Sequence, residues 1–471
     1  MGKKIKVWFL SAEVAPLAKT GGLGDVAGAL PKSLAKLGVD VRVCLPLYGL
    51  IDRRAHKIKP LNTTAIVRWS TAVEKVRIYQ TRLPGSRVPV YLLDHPFLNT
   101  ATIYQQPNDQ DDKPNRKIDD LRKFSFFTKA ALAVAEALQF RPDIIHAHDW
   151  HTALVKHFVR QWTTSFYESS QVIYTIHNLA NQGWAGHNVI KWAGLKNWQG
   201  DLNFMAEGIK TADWVTTVSP TYAQEILSQP LDAGLGRYLR QRRSDLSGII
   251  NGIDVVEYNP AKDKNLFKKF SAQTLERKKI NKLVLQKELG LKQGANIPLA
   301  GLISRLVWQK GLELFDQQMA KRSCQWVFLG TGEPRYEQQL AALAAKYPDR
   351  ISAQVKFNDR LAHQIYAAAD IFLVPSRFEP CGLTQMMAMR YGAVPIVRAT
   401  GGLKDTVNKN NGFLFNKLAK TEFYQTIDKA LDEYAQRPAM WRQRQLVGMN
   451  QDWSWNEPAK EYLQLYRRLL Q

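Results

Sequence analysis

Four short stretches of the chain combine residue types at spacings that could do chemistry. The first is Lys19-Thr20-Gly21-Gly22-Leu23-Gly24-Asp25. Its glycines would let backbone approach a ligand closely, and a helix opening there would offer unpaired N–H groups to an anion. The spacing is not that of the dinucleotide fingerprint, and a tight strand-to-helix turn would use the same residues. The second is His146-Ala147-His148-Asp149-Trp150-His151. Imidazoles and a carboxylate so close together invite a zinc site. Yet Asp comes one position early for a metallo-hydrolase pattern, with Trp150 in its place, and downstream only His157, His177, His187 and His363 follow. No metal is therefore expected there, and the stretch reads as a strand end lining the carboxyl edge of a sheet.

The third stretch, Ser304-Arg305-Leu306-Val307-Trp308-Gln309-Lys310-Gly311, puts two cations at a strand-to-helix transition. Fixed cations there suit a phosphate or diphosphate, which Arg can grip with two parallel bonds. Ordinary surface charges would look the same. The fourth is Pro375-Ser376-Arg377-Phe378-Glu379-Pro380-Cys381-Gly382-Leu383-Thr384-Gln385. Glu379 could accept hydrogen bonds from sugar hydroxyls, while Gly382 and Leu383 present N–H groups at a helix start. Cys381 at a helix N-terminus could be a nucleophile. No His stands in a partner motif, so a contact role is favoured.

The elements that must hold these stretches alternate. Strands are expected at Ile5–Leu10, Val39–Leu45, Val88–Leu93, Asp143–Ala147, Val172–His177 and Trp214–Val218. A helix from Asp25 to Leu37 would bury Val26, Leu30, Leu34 and Leu37, with a kink at Pro31; another runs from Leu121 to Leu138. After Asn251-Gly252-Ile253-Asp254 and a Lys-rich stretch at 258–269, the pattern restarts. Strands fall at Leu299–Ile303, Trp326–Leu329, Ile351–Val355, Ile371–Val374 and Val394–Val397, with helices at Arg335–Lys346 and Ala362–Ala369 between them. Such alternation predicts an α/β protein of two doubly wound, Rossmann-like domains with the ligand in the cleft between them. The expected bounds are 1–250, 251–455, and a final helix at 456–471 packing back on the first domain.

Composition excludes several classes. The 471 residues are 45% apolar and 23% charged, which is a globular mix with room for two or three cores. Three scattered cysteines, Cys44, Cys324 and Cys381, give no disulfide framework and point to the reducing cytoplasm. No apolar run approaches the ~20 residues of a membrane span. The start, Met1-Gly2-Lys3-Lys4-Ile5-Lys6, fits neither a signal peptide nor a myristoylation site. The excess of 65 Lys and Arg over 42 Asp and Glu, +23, would favour polyanions. It is spread along the chain, its densest patch (Arg237–Arg243) reads as a solvated helix face, and no nucleic-acid module appears, so no nucleic-acid partner is expected.

Together the motifs resemble bacterial glycogen synthases and plant starch synthases, retaining GT-B glycosyltransferases that use a nucleotide sugar. The resemblance extends to His177-Asn178-Leu179, Thr217-Val218-Ser219-Pro220-Thr221-Tyr222, Ile250-Asn251-Gly252-Ile253-Asp254, Thr400-Gly401-Gly402-Leu403-Lys404-Asp405-Thr406-Val407 and Trp453-Ser454-Trp455. It implies transfer of glucose from ADP-glucose to the non-reducing end of an α-1,4-glucan such as glycogen, with retention and with no cofactor. By the same resemblance Lys19, Gly21 and Gly22 meet the donor's diphosphate or glucose, and Arg305 and Lys310 neutralise the leaving diphosphate. His177 and Asn251 hold the glucose near its primary hydroxyl, with Asn178 beside them. Glu379, Cys381 and Gly382 hold its other hydroxyls, with Leu383 and Thr384 adjoining; Phe357 packs on the adenine and Asp25 lies beside the reaction centre. Two stretches depart from the family. Asn99-Thr100-Ala101 stands where a Tyr-Asp-Arg-like segment is usual, and Met205-Ala206-Glu207-Gly208 where Leu-Lys-(Gly/Ala)-Gly is usual. Both fall on the acceptor side, and they raise the alternative of a glucan-binding or regulatory paralogue with weak or altered activity.

Overall fold

The computed structural model describes residues 4–104, 115–185, 190, 195 and 200–471, with backbone alone for 115–119. Met1-Gly2-Lys3 and His187 lie outside the described residues. The chain divides into two compact units: Met1–Gly252 with Trp455–Gln471, and Ile253–Ser454.

The first unit is built on strands β1 (Lys6–Leu10), β2 (Asp40–Pro46), β3 (Lys59–Trp69), β4 (Ala72–Arg82), β5 (Pro89–Asp94), β6 (Ile144–His148) and β7 (Gln171–Ile176). A two-residue pair, β8 (Trp184–Ala185) and β9 (Leu202–Asn203), stands apart, and β10 (Trp214–Thr217) and β11 (Leu246–Gly248) complete the set. The main sheet has nine strands in the order β11-β10-β7-β6-β1-β2-β5-β4-β3. Its pairings are parallel except β3 with β4 and β4 with β5. Strand β1 shows why both faces must be covered. Side chains alternate with period two, so Trp8 and Leu10 enter one core with Phe126, Phe127 and Ala130, while Val7 and Phe9 enter the other with Val26 and Leu30. That second core also takes Trp455, Ala459, Tyr462 and Tyr466 at and along helix Asn456–Leu469.

The second unit carries β12 (Leu299–Ile303), β13 (Gln325–Leu329), β14 (Ile351–Gln354), β15 (Ile371–Val374), β16 (Val394–Arg398) and β17 (Phe413–Phe415). All six are parallel, in the order β14-β13-β12-β15-β16-β17. Counted along the chain this is 3-2-1-4-5-6, the doubly wound order, whose reversal falls between β12 and β15. The parallel strands of the first unit repeat it, with the reversal between β1 and β6. Loops after those four strands therefore flank the crevices where ligands bind in such sheets.

Local details differ from the sequence reading. The first helix is Gly22–Lys36, so it begins before Asp25 and Gly22 lies in its first turn instead of before it. It runs on past the buried Pro31, and Leu37 is 36% exposed, unlike Val26, Leu30 and Leu34 at 0%. The antiparallel pair β3–β4 has no counterpart in that reading.

Candidate active site

In the first unit the loop after β1 is built around a carboxylate. Glu13 is buried, and its two oxygens accept from Thr20 N (2.7 Å), Thr20 Oγ1 (2.8 Å), Gly21 N (2.9 Å) and the Tyr104 hydroxyl (2.6 Å). This pins the loop so that Gly21 caps helix Gly22–Lys36 while Lys19 Nζ donates to Asp25 Oδ1 at 2.6 Å. A carboxylate in a first helical turn also faces the positive end of the helix dipole.

Across the reversal, β6 and β7 deliver the histidines. His146 is fully engaged, with Nδ1 2.8 Å from the Tyr466 hydroxyl and Nε2 2.7 Å from Thr175 Oγ1, so it has no lone pair free for a metal. His148 Nδ1 lies 2.9 Å from His177 Nε2. Burial drives the pKa values of His146 and His177 down to about 3, so both rings stay neutral. Asp149 follows β6 with φ 55°, a left-handed conformation unusual for a residue with a side chain. Its Oδ1 accepts from the backbone N–H groups of His177 (2.8 Å) and Asn178 (3.3 Å). Burial raises its pKa to about 7, against the pull of those two bonds. Asn251, past β11, is buried with Oδ1 unpaired, an acceptor that a ligand hydroxyl could satisfy.

In the second unit the loops after β12 and β15 meet. Lys310 Nζ donates to Glu379 Oε2 at 2.7 Å, and the Ser376 hydroxyl donates to the same oxygen at 2.7 Å. The loops are also tied through Arg377 N to Gln309 O (2.8 Å) and Gln309 Nε2 to Phe378 O (3.1 Å). Gly311 turns the chain at φ +68°, where a Cβ would stand 2.2 Å from Pro375 O. The Thr400–Val407 motif supports Glu379 from below. Gly402 N donates to Glu379 O at 3.1 Å, and a Cβ on Gly401 (φ +45°) would sit 2.0 Å from that oxygen. Cys381 is buried beside it; Gly382 has φ +70°, and its carbonyl accepts from Gln385 Nε2 at 2.7 Å. Leu383 caps the short helix that opens at Thr384.

Two residues named from the sequence stand by themselves. Arg305 is exposed, and among the described residues its guanidinium has no partner. Phe357, beyond β14, is 86% exposed, an aromatic face open to a planar ligand. Glu13, which no spacing announced, and Asp149, which the histidine stretch offered only as a metal ligand, are buried and organise the first unit's loops.

Residues 6–241 match the sequence profile of the starch synthase catalytic domain, and 284–445 match that of glycosyl transferases group 1. Glycogen synthase of Moorella thermoacetica is 41% identical across 100% of this chain and 98% of its own length. That of Kosmotoga olearia is 42% identical across 99% and 98%. This chain belongs to the glycogen and starch synthase family. Among solved structures, the catalytic domain of starch synthase IV from Arabidopsis thaliana, bound to ADP and acarbose, superposes with a TM-score of 0.91. It is 33% identical over 99% of this chain and 100% of that one. The fold is thus GT-B. All four stretches fall at strand ends beside the two order reversals.

Proposed function

We propose that this chain is a glycogen synthase that transfers glucose from ADP-glucose to the non-reducing end of an α-1,4-glucan, retaining the anomeric configuration. The observation that carries the reading is the junction of the β12 and β15 loops. There an unpartnered Arg305, the Lys310–Glu379 ion pair and Ser376 share one sheet edge. Full-length identity to glycogen synthases supports it, and the paralogue alternative is not favoured.

In this reading Arg305 and Lys310 take up the charge that grows on the diphosphate as the glycosidic bond breaks. Preplaced cations lower that barrier because they need no reorganisation. Glu379 and Cys381, with the N–H groups at Gly382, Leu383 and Thr384, hold sugar hydroxyls, and Phe357 stacks on adenine. The first unit contributes Lys19, Gly21 and Gly22 to the diphosphate or glucose, and His177, Asn178 and Asn251 to the primary-hydroxyl end. His177 does so as a neutral ring able to donate or accept. Asp25 orients Lys19. Three buried cysteines, none in a disulfide, suit a reducing compartment, the cytoplasm, and no helix among the described residues is long and apolar enough to cross a membrane.

Calorimetric titration with ADP checks the donor assignment. The wild type should bind one ADP per chain, and Arg305→Ala and Phe357→Ala should each weaken binding by about 10-fold or more, as expected for losing a charge-assisted bond or a stacked ring. Unchanged affinity in both variants would remove these residues from the nucleotide site.

A further inference from the structure

We propose that Glu257, Asp359 and His363 form a binding site for a divalent cation of the zinc class. One ligand atom from each lies within 4.8 Å of the other two. Exposed carboxylates alone would mean little; the buried imidazole between them is what points to a ligand. His363 is 2% exposed. Nδ1 lies 2.6 Å from Asp263 Oδ2, which also accepts from the Tyr391 hydroxyl at 2.7 Å. Tyr258 stacks on the ring at 5.0 Å and 12°. A carboxylate that accepts a hydrogen bond from Nδ1–H fixes the tautomer and leaves Nε2 with its lone pair outward, which is how metal-binding histidines are usually oriented. Nε2 itself is buried without a hydrogen-bond partner, and Asp359 Oδ2 is 3.9 Å away. A buried polar atom left unpaired is costly, and a metal bond would offset that cost.

The chemistry of the set fits zinc. One imidazole and two carboxylates leave a fourth tetrahedral position for water, and both carboxylates are exposed, so an ion has a way in. Tetrahedral ligands at about 2 Å from the ion stand about 3.3 Å apart. The imidazole is fixed, so the two exposed side chains must swing inward by about 1 Å. The bound ion would tie the segment that opens the second unit to helix Asp359–Ala368, which directly follows Phe357 and its neighbour Asn358. It touches no residue assigned to the donor, so its role is to stiffen the unit.

The test uses the full-length protein, stripped with chelator, desalted and titrated with zinc chloride in a calorimeter. One zinc per chain is expected, with affinity reduced about 10-fold or more in Glu257→Gln or Asp359→Asn. Cobalt should give the visible bands of a tetrahedral ion in the wild type and lose them in those variants. Saturating zinc should raise the thermal midpoint of the wild type alone. His363→Gln should abolish binding; should it fail to fold, the two exposed carboxylate variants still decide the matter. Absence of stoichiometric binding, or binding unchanged in both carboxylate variants, overturns the site and leaves His363 as an imidazolium shared by Asp263 and Asp359.

Discussion

Arg305 and Lys310 follow the same strand, yet they are held differently, and the difference separates their variants. Lys310 is paired with a buried carboxylate, so Lys310→Ala leaves Glu379 with the Ser376 hydroxyl alone. Arg305→Ala leaves nothing unpaired. Each should lower kcat by ~10²–10³-fold, the usual cost of removing one charge-stabilising group. Only Lys310→Ala should also lower the thermal midpoint. Near-normal turnover in both would refute the diphosphate assignment. The buried groups of the first unit predict a pH profile. His146 and His177 have folded pKa values near 3 against 6.5 in the unfolded chain, so acid is bound preferentially by the unfolded state and stability falls as pH drops from 6.5 towards 3. Asp149 acts oppositely: raised from 3.8 to about 7, it adds stability as pH falls through that window. Two groups outweigh one, so melting should be lower at pH 4.5 than at pH 7. Asp149→Asn, which removes the opposing contribution, should steepen the loss; a shallower profile would mean that Asp149 is ionised in the folded chain at neutral pH. Arg305, Lys310 and Glu379 were legible in the sequence because cations and a carboxylate beside glycines at strand ends form motifs. Glu13 was not, because its partners, amides at 20 and 21 and the hydroxyls of Thr20 and Tyr104, are brought in by the fold, and Asp149 stood in the histidine stretch without any sign that it holds the amides of His177 and Asn178.

The elements are legible to the extent that they are periodic. Strands buried on both faces, such as β7 and β13, read as apolar runs. The β3–β4 hairpin escaped because its register shifts between Pro60 and Thr64 and its turn, Ser70-Thr71, has no glycine although Ser70 takes φ 53°. Its inward residues, Ala65, Val67 and Trp69, show their alternation only once the core is known. The first helix began earlier than its apolar stripe because Glu13, far outside it, fixes the turn at Gly21. The Thr400–Val407 motif illustrates an element acting through another. An Ala at 401 would place Cβ 2.0 Å from Glu379 O and add a strained left-handed residue, together worth about 1–3 kcal/mol. Gly401→Ala should therefore lower both the thermal midpoint and kcat, because Glu379 and with it Lys310 must shift. Gly21→Ala, where nothing lies within 4 Å of the added carbon, should change stability by less than about 0.5 kcal/mol. Equal melting of the two variants would show that Gly401 does not support Glu379.

At the scale of the whole molecule, two units of like topology each present loops at an order reversal, and the match to glycogen synthases runs from end to end. By resemblance, the departing stretches Asn99-Thr100-Ala101 and Met205-Ala206-Glu207-Gly208 fall on the acceptor side. Asn99-Thr100-Ala101 is anchored by Gly49 N to Thr100 O (2.8 Å), and no ring stands at these positions to pack on a sugar. Short maltooligosaccharides should therefore saturate poorly, whereas glycogen, with many chain ends, raises the effective concentration. Restoring Tyr, Asp and Arg at 99–101 should lower KM for short acceptors and leave that for ADP-glucose about the same. The most direct measurement supplies radiolabelled ADP-glucose or UDP-glucose to the full-length protein with glycogen or maltooligosaccharides. The expected result is label from ADP-glucose entering glycogen, in linkages released by an α-1,4-specific hydrolase, with weak saturation by short acceptors. A chain that binds glycogen yet transfers no label from either nucleotide sugar would contradict the account.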